Sequence, residues 1–137
     1  MVNLQLRFGA SPDQDTLIAT TMNILMKETN SKPPSPGTPG PFSLSDENSL
    51  KNSFMISGFK GLTIERINVS FDFDSPEDFT AFTSETAGPL QKILAHQTTK
   101  KKDEILKIVT EAARKYADNN VGKVRFENEA ILILGKK

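Results

Sequence analysis

Residues 2–8, VNLQLRF, alternate apolar and polar with period two, the pattern of a strand with one buried face. Gly9 and Ala10 turn the chain, and Ser11-Pro12-Asp13-Gln14 has the composition of a helix start. Ser supplies an N-cap, Pro occupies the first helical position where its missing N–H costs nothing, and Gln three residues after the Ser closes a capping box. Leu17, Ile18, Met22, Leu25 and Met26 then fall on one helical face. Strand, short turn, helix is a usual opening of an α/β sheet. Residues 30–41 cannot continue that helix, because Pro33, Pro34, Pro36, Pro39 and Pro41 remove donors and push their predecessors toward extended backbone. They read as an extended connector within the domain.

A second helix is predicted over 46–57, with Ser45 as N-cap and Asp46 and Glu47 in the first turn, where the helix dipole favours acids. Leu50 and Phe54, with Met55 beside them, face inward. Gly58 suits the left-handed position after the helix, and Phe59 is placed for the hydrophobic contact of a Schellman stop. Over 62–73 the apolar parity changes: Leu62 and Ile64 lie on one side, Ile67, Val69, Phe71 and Phe73 on the other. A bulge near Glu65 or Arg66, or burial on both faces, reconciles the two.

Ser75-Pro76-Glu77-Asp78 repeats the Ser-Pro helix start, and Phe79 and Phe82 line one face of the short helix that follows. Gly88-Pro89 breaks it, and Leu90, Ile93 and Leu94 imply a further turn or two. Ile105, Ile108, Val109, Ala112, Ala113 and Tyr116 form the stripe of a longer amphipathic helix, with Asp103 and Lys107, then Glu111 and Lys115, spaced for ion pairs on its solvated face. Residues 119–122 end it. The last strand opens with Val124 and Phe126 and becomes uniformly apolar over 131–134, which predicts cover on both faces inside a sheet.

A chain of 137 residues has room for one domain with a real core. It has no cysteine, hence no disulfide framework, thiolate nucleophile or Cys-based zinc site. Seventeen basic and seventeen acidic residues cancel and are interspersed, so no field collects phosphate backbones or anionic lipid. Nucleic-acid partners lose weight. No apolar run approaches the roughly 20 residues that span a bilayer, and no basic-then-apolar signal opens the chain, so a cytoplasmic protein is expected.

Candidate chemistry is sparse. His96, the single histidine, sits near a predicted helix end without triad or metal partners and reads as a surface or capping residue. Asp72, Asp74, Glu77 and Asp78 lack the glycine and spaced terminal Glu of a calcium loop, and read as strand-edge and helix-start acids. Lys100, Lys101 and Lys102 are followed at once by Asp103 and Glu104 and read as an exposed helix segment. Phe79 and Phe82 at helical spacing read as core, with the wall of an apolar acceptor pocket as the functional alternative. No catalytic residue and no metal ligand is assigned.

The motif order carries a resemblance. Pro39-Gly40-Pro41-Phe42-Ser43-Leu44-Ser45-Asp46, the helix ending in Gly58-Phe59, the strand after it and the closing Ala130-Ile131-Leu132-Ile133-Leu134-Gly135-Lys136 resemble the late segment of class I S-adenosylmethionine-dependent methyltransferases of the ubiquinone/menaquinone-biosynthesis type and related small-molecule methyltransferases. The resemblance spans almost the whole chain. It implies one partial domain over 1–137 with a partial Rossmann-like sheet. Residues 1–60 would hold the fifth strand, a helix, the Pro-rich connector and a second helix. Residues 61–137 would hold the sixth strand, a helical insertion over about 76–118 on the substrate side, and a seventh, antiparallel strand inserted between the fifth and sixth. On the acceptor side it implies Phe8, Met22, Phe79 and Phe82 as contacts for a small-molecule methyl acceptor.

The family's cofactor signature, a strand running into a Gly-rich turn with an acid about 20 residues on, is not found in these residues. Gly37-Thr38-Pro39-Gly40 follows a proline run and opens no helix. The expectation is therefore an acceptor-side C-terminal portion, inactive alone, which does not itself bind S-adenosylmethionine and which self-associates through the sheet edge left by strands one to four. The competing expectation is a free-standing α/β interaction or dimerisation module.

Overall fold

The computed structural model describes residues 3–9, 15–32, 38–40 and 42–137, with the backbone alone for 3–9. Within these residues the protein is α/β. The order is β1 (Asn3–Gly9), α1 (Thr16–Glu28), α2 (Glu47–Ile56), β2 (Lys60–Phe73), α3 (Pro76–Thr86), α4 (Gly88–Ala95), α5 (Thr99–Ala113), a 3-10 turn (Arg114–Tyr116) and β3 (Val124–Lys136). The expected starts at Val2 and at Ser11 to Gln14, and most of the proline run, lie outside the described residues.

The helix ends follow local chemistry. Asn30 takes a left-handed backbone, φ 50°, and the Ser31 N–H reaches the Met26 carbonyl at 3.1 Å, which closes α1. Asp46, rather than Ser45, caps α2: its carboxylate accepts the Ser49 N–H at 2.8 Å. At the other end Gly58 has φ 87°, its N–H goes to Met55, the Phe59 N–H goes to Phe54, and the Phe54 and Phe59 rings sit 5.3 Å apart. That is the anticipated Schellman stop. Ser75 caps α3 through the Asp78 N–H at 3.0 Å, with Pro76 in the first turn. Thr98 caps α5 and so starts it well ahead of its apolar stripe.

The strands form one sheet in the order β1-β3-β2, with the last strand in the centre. β1 and β3 are antiparallel, with Asn3 opposite Lys136, Leu6 opposite Ile133 and Gly9 opposite Ala130. β2 also opposes β3, since Leu62 lies at Gly135, Arg66 pairs with Glu129 and Asp72 with Arg125. The two outer strands therefore run the same way on either side of a reversed one. The parity change in β2 is present, marked by the consecutive exposed residues Glu65 and Arg66.

The chain divides into two compact units, each with its own core. One comprises the described residues of Met1–Thr16, Pro34–Val69 and Glu127–Lys137. In it Leu50 and Phe54 of α2 pack on Ile131 and Ile133, flanked by Leu44, Phe59, Leu62 and Ile64. The expected cover on both faces of 131–134 is corrected here: Ile131 and Ile133 are fully buried, whereas Leu132 is half-buried and Leu134 is 43% exposed. The helix covers one side of the strand and leaves the other to solvent. Met55 likewise turns outward, 61% exposed.

The other unit comprises the described residues of Leu17–Pro33 and Ser70–Phe126. It has two clusters. Phe79, Val109, Ala113, Val124 and Phe126 form the first, and Leu25, Leu90 and Ile105 the second, with Met22, Ile93 and Leu94 against it. On α5 the buried line is Ile105, Val109 and Ala113; Ile108, expected in the stripe, is on its exposed flank.

Candidate functional site

The Ser75 cap and Pro76 fix the entry angle of α3, and that angle brings both its phenylalanines against Phe73 at the end of β2. Phe73 meets Phe79 edge-on at 5.3 Å between centroids and Phe82 at 5.4 Å. Phe79 continues to Phe126 at 4.6 Å, and Phe126 to Tyr116 at 4.6 Å. A hydroxyl contact of 2.6 Å between Thr80 and Thr110 ties α3 to α5 beside this chain of rings. Such tilted and edge-on pairs each contribute about 0.5–1.5 kcal/mol beyond burial.

The aromatic chain has a closed end and an open one. Phe79 and Phe126 are fully buried, while Phe82, at one end of the chain of rings, is 41% exposed. Close by in sequence, the Thr83 hydroxyl is buried without a hydrogen-bond partner, as is that of Thr21 on α1. Neither was picked out from the sequence. Thr21 does lie midway between Leu17 and Leu25 at four-residue spacing, a signal that a polar residue occupies a core position.

Of the four acceptor-side residues named from the sequence, the structure brings two together. Phe79 and Phe82 share the Phe73 ring. Met22 is half-buried against the separate Leu25, Leu90 and Ile105 cluster of the same unit. Phe8 is in the other unit, opposite Ile131 in the β1–β3 register.

Of the charged candidates, Asp72, Asp74, Glu77 and Lys101 are engaged in ion pairs. Arg125 binds both carboxylate oxygens of Asp72, at 2.6 and 3.0 Å, and this hydrogen bonding holds the Asp72 carboxyl below the ordinary aspartate range. Lys123 pairs with Asp74 at 3.3 Å and Arg114 with Glu77 at 2.7 Å. Glu111 takes Arg114 at 3.1 Å. Lys101 reaches Glu28 at 3.1 Å. The His96 ring donates to the Lys92 carbonyl at 2.8 Å, at the C-cap of α4. Among the described residues no group of His, Cys, Asp and Glu is arranged to hold a metal ion.

On the exposed side of the sheet, Thr63, Glu65, Leu132 and Leu134 line a shallow hollow of about 110 Å³. Ligand pockets usually measure about 300–1,000 Å³, so it is too small to enclose a cofactor-sized molecule. No described helix is long and apolar enough to cross a membrane. Neither a protein-family model nor a curated protein matches the chain.

Proposed function

We propose that the chain forms the acceptor-side part of an S-adenosylmethionine-dependent methyltransferase and works with a cofactor-binding half. The observation that supports this reading is the strand order β1-β3-β2, in which a reversed strand separates two that run the same way. It matches the closing arrangement expected from the class I methyltransferase resemblance, a seventh, antiparallel strand between the fifth and sixth. The helices α3 to α5 fall between the last two strands, where that family carries its substrate-side insertion.

Among the described residues, the turn from β2 into α3 does not fit the cofactor. The turn from β2 into α3 is Asp74-Ser75-Pro76, without the glycines that let backbone amides approach a ligand closely. No part of cofactor binding is therefore assigned to this chain. Its contribution is to the methyl acceptor: the exposed face of Phe82, beside Phe73, packs against an apolar small molecule and excludes water from that side of it. Positioning and desolvation of that kind accelerate a group transfer without a protein nucleophile, in keeping with the sparse catalytic inventory. The same reading has the protein cytoplasmic and without a nucleic-acid partner.

Calorimetry with S-adenosylmethionine tests the division of labour. The chain alone should show no binding, and the chain extended by the segment encoded upstream, or joined by a neighbouring gene product, should bind one-to-one at micromolar affinity. Micromolar binding by the chain alone would overturn the assignment of the cofactor to another half. An upstream or neighbouring sequence without a strand, Gly-rich turn and helix would overturn the methyltransferase reading itself.

A further inference from the structure

We infer that the C-terminal end of α2 docks on the surface of an anionic lipid bilayer, with Met55 and Ile56 entering the lipid and Lys51, Lys60 and Lys137 meeting its headgroups. Exposure and charge within one unit carry this, independently of the methyl-transfer reading.

α2 packs on β3 through Leu50 and Phe54, so the next two positions round the helix, Met55 and Ile56, turn away from the core. Ile56, at 88%, is the most exposed large apolar side chain among the described residues, and Met55 beside it is also exposed. The left-handed backbone of Gly58 ends the helix directly after them, so no further helical turn shields them. Single exposed apolar residues are ordinary; the setting of this pair is not.

From Asn48 to Ile64 the chain has no acidic residue, and it carries Lys51 and Lys60. Lys51 lies one turn before Met55 on the same flank, and Lys60 follows two residues after Gly58. The end of β3 adds a third lysine. The Lys137 ammonium sits 5.6 Å from the Phe59 ring centroid, and its Cε is 3.9 Å from where a Gly58 Cβ would stand. All three are exposed, and none forms an ion pair among the described residues. Glu47 is tied to Arg66 at the opposite end of α2, about 13 Å along the helix from Ile56, beyond the Debye length of roughly 8 Å at physiological salt. The even charge balance of the whole chain therefore conceals a local excess of cations.

Lysines ringed about projecting apolar groups suit a partner with negative charge at its surface and apolar matter beneath. An anionic bilayer has both, as headgroups over acyl chains. A folded protein would need a preformed cavity for Ile56, whereas fluid acyl chains close round a projecting side chain.

Co-sedimentation of the full chain with vesicles of phosphatidylcholine, alone or mixed equally with phosphatidylserine, provides the test. Binding should require the anionic lipid and weaken as salt rises. Lys51→Gln, Lys60→Gln and Lys137→Gln should each lower partitioning about fivefold. Ile56→Gln, which spares the core, should lower it about tenfold or more. Absence of binding, equal binding to both vesicles, or undiminished binding by Ile56→Gln would each overturn the inference. So would a dimer that Ile56→Gln dissociates in a chain that ignores vesicles, which would give this surface to a second copy. Because the chain has no tryptophan, Ile56→Trp reads depth directly, with Asn48→Trp about two turns back as control. Brominated acyl chains in the anionic vesicles should quench Ile56→Trp and leave Asn48→Trp unchanged. Equal quenching would lay the helix flat and overturn the assignment to its end.

Discussion

Replacing Phe79 and Phe82 separately with alanine distinguishes the closed end of the aromatic chain from the open one. Phe79 is fully buried between the Phe73 and Phe126 rings, at 5.3 and 4.6 Å. Its truncation removes the ring's transfer energy and leaves a cavity, a loss of about 3–5 kcal/mol. Total stabilities of domains run about 5–15 kcal/mol, so this one change consumes a large fraction. Phe82 is 41% exposed and touches one ring, Phe73. The roughly three-fifths of it that is covered amounts to about 1–2 kcal/mol, and water fills the space it leaves. Urea unfolding measures both. Tyr116 is the single tyrosine, there is no tryptophan, and Tyr116 stacks on Phe126, so intrinsic fluorescence reports on this unit. With a slope near 2 kcal/mol per molar urea, Phe79→Ala should lower the midpoint by about 2 M and Phe82→Ala by about 0.5–1 M. Equal shifts, or a larger one for Phe82→Ala, would refute the assignment of Phe82 to the open end. If the proposed acceptor role holds, Phe82→Ala should also raise the KM for the methyl acceptor once the chain is joined to a cofactor-binding half.

Gly135→Ala should cost about 1–3 kcal/mol of stability in the same assay, because an added Cβ would lie 2.7 Å from Leu62 Cδ2 and 3.3 Å from Phe59 Cβ. An unchanged midpoint would show that α2 and its stop do not press on β3. Ser75→Ala should cost about 1 kcal/mol through loss of the α3 cap, and Ser75→Asp should retain most of it. Acid should destabilise the fold in a defined window. The Ser49 hydroxyl and N–H lower the Asp46 carboxyl and the Arg125 hydrogen bonds lower that of Asp72, so each contributes stability above the ordinary aspartate range that disappears as pH falls through the depressed folded value. Asp72→Asn should flatten part of that acid limb in unfolding midpoints followed against pH, whereas a fold that gains stability on acidification would contradict the sign. Ending the chain at Lys123 should abolish the sheet and both central clusters; retained β signal in circular dichroism with cooperative unfolding would contradict the central place of β3.

Local chemistry was the most legible part of the sequence. The Ser75-Pro76 start and the Gly58-Phe59 stop fold as read because each depends on a few contiguous residues. Ser45 and Asp46 are both capable caps, and the choice went to the residue whose extended backbone aims a carboxylate at the Ser49 N–H. The start of α5 was not marked by periodicity, since its first turn after Thr98 is lysine-rich and polar. Depth of burial was less legible than facing. Ile105, Val109 and Ala113 are the centre of the α5 stripe and Ile108 its flank, but an apolar residue looks the same in both places. The same ambiguity hid the difference between Phe79 and Phe82, whose three-residue spacing showed that they share a face and not that one is enclosed and the other open. Thr83 escaped because a threonine on a mixed helix face looks like a solvated one until the neighbouring helices are placed, whereas the four-residue spacing of Thr21 from Leu17 and Leu25 does mark a core position.

The sheet order shows where periodicity stops and tertiary logic begins. An uninterrupted apolar run suggested that 131–134 is central, and centrality was correct, yet the inferred reason was not. Leu132 and Leu134 are not under a second layer; β3 is central because strands on both sides hydrogen-bond to it. β1 and β2 run the same way, so no hairpin can join them, and each reaches the sheet only by pairing with the last strand. Asn3 opposite Lys136 is nearly the longest contact the chain can make. Pairing at that separation carries a large loop-closure cost, and the apolar residues of β3 help to offset it by entering two cores at once, Ile131 and Ile133 in one unit and Val124 and Phe126 in the other. The strand that completes the sheet therefore also completes both cores.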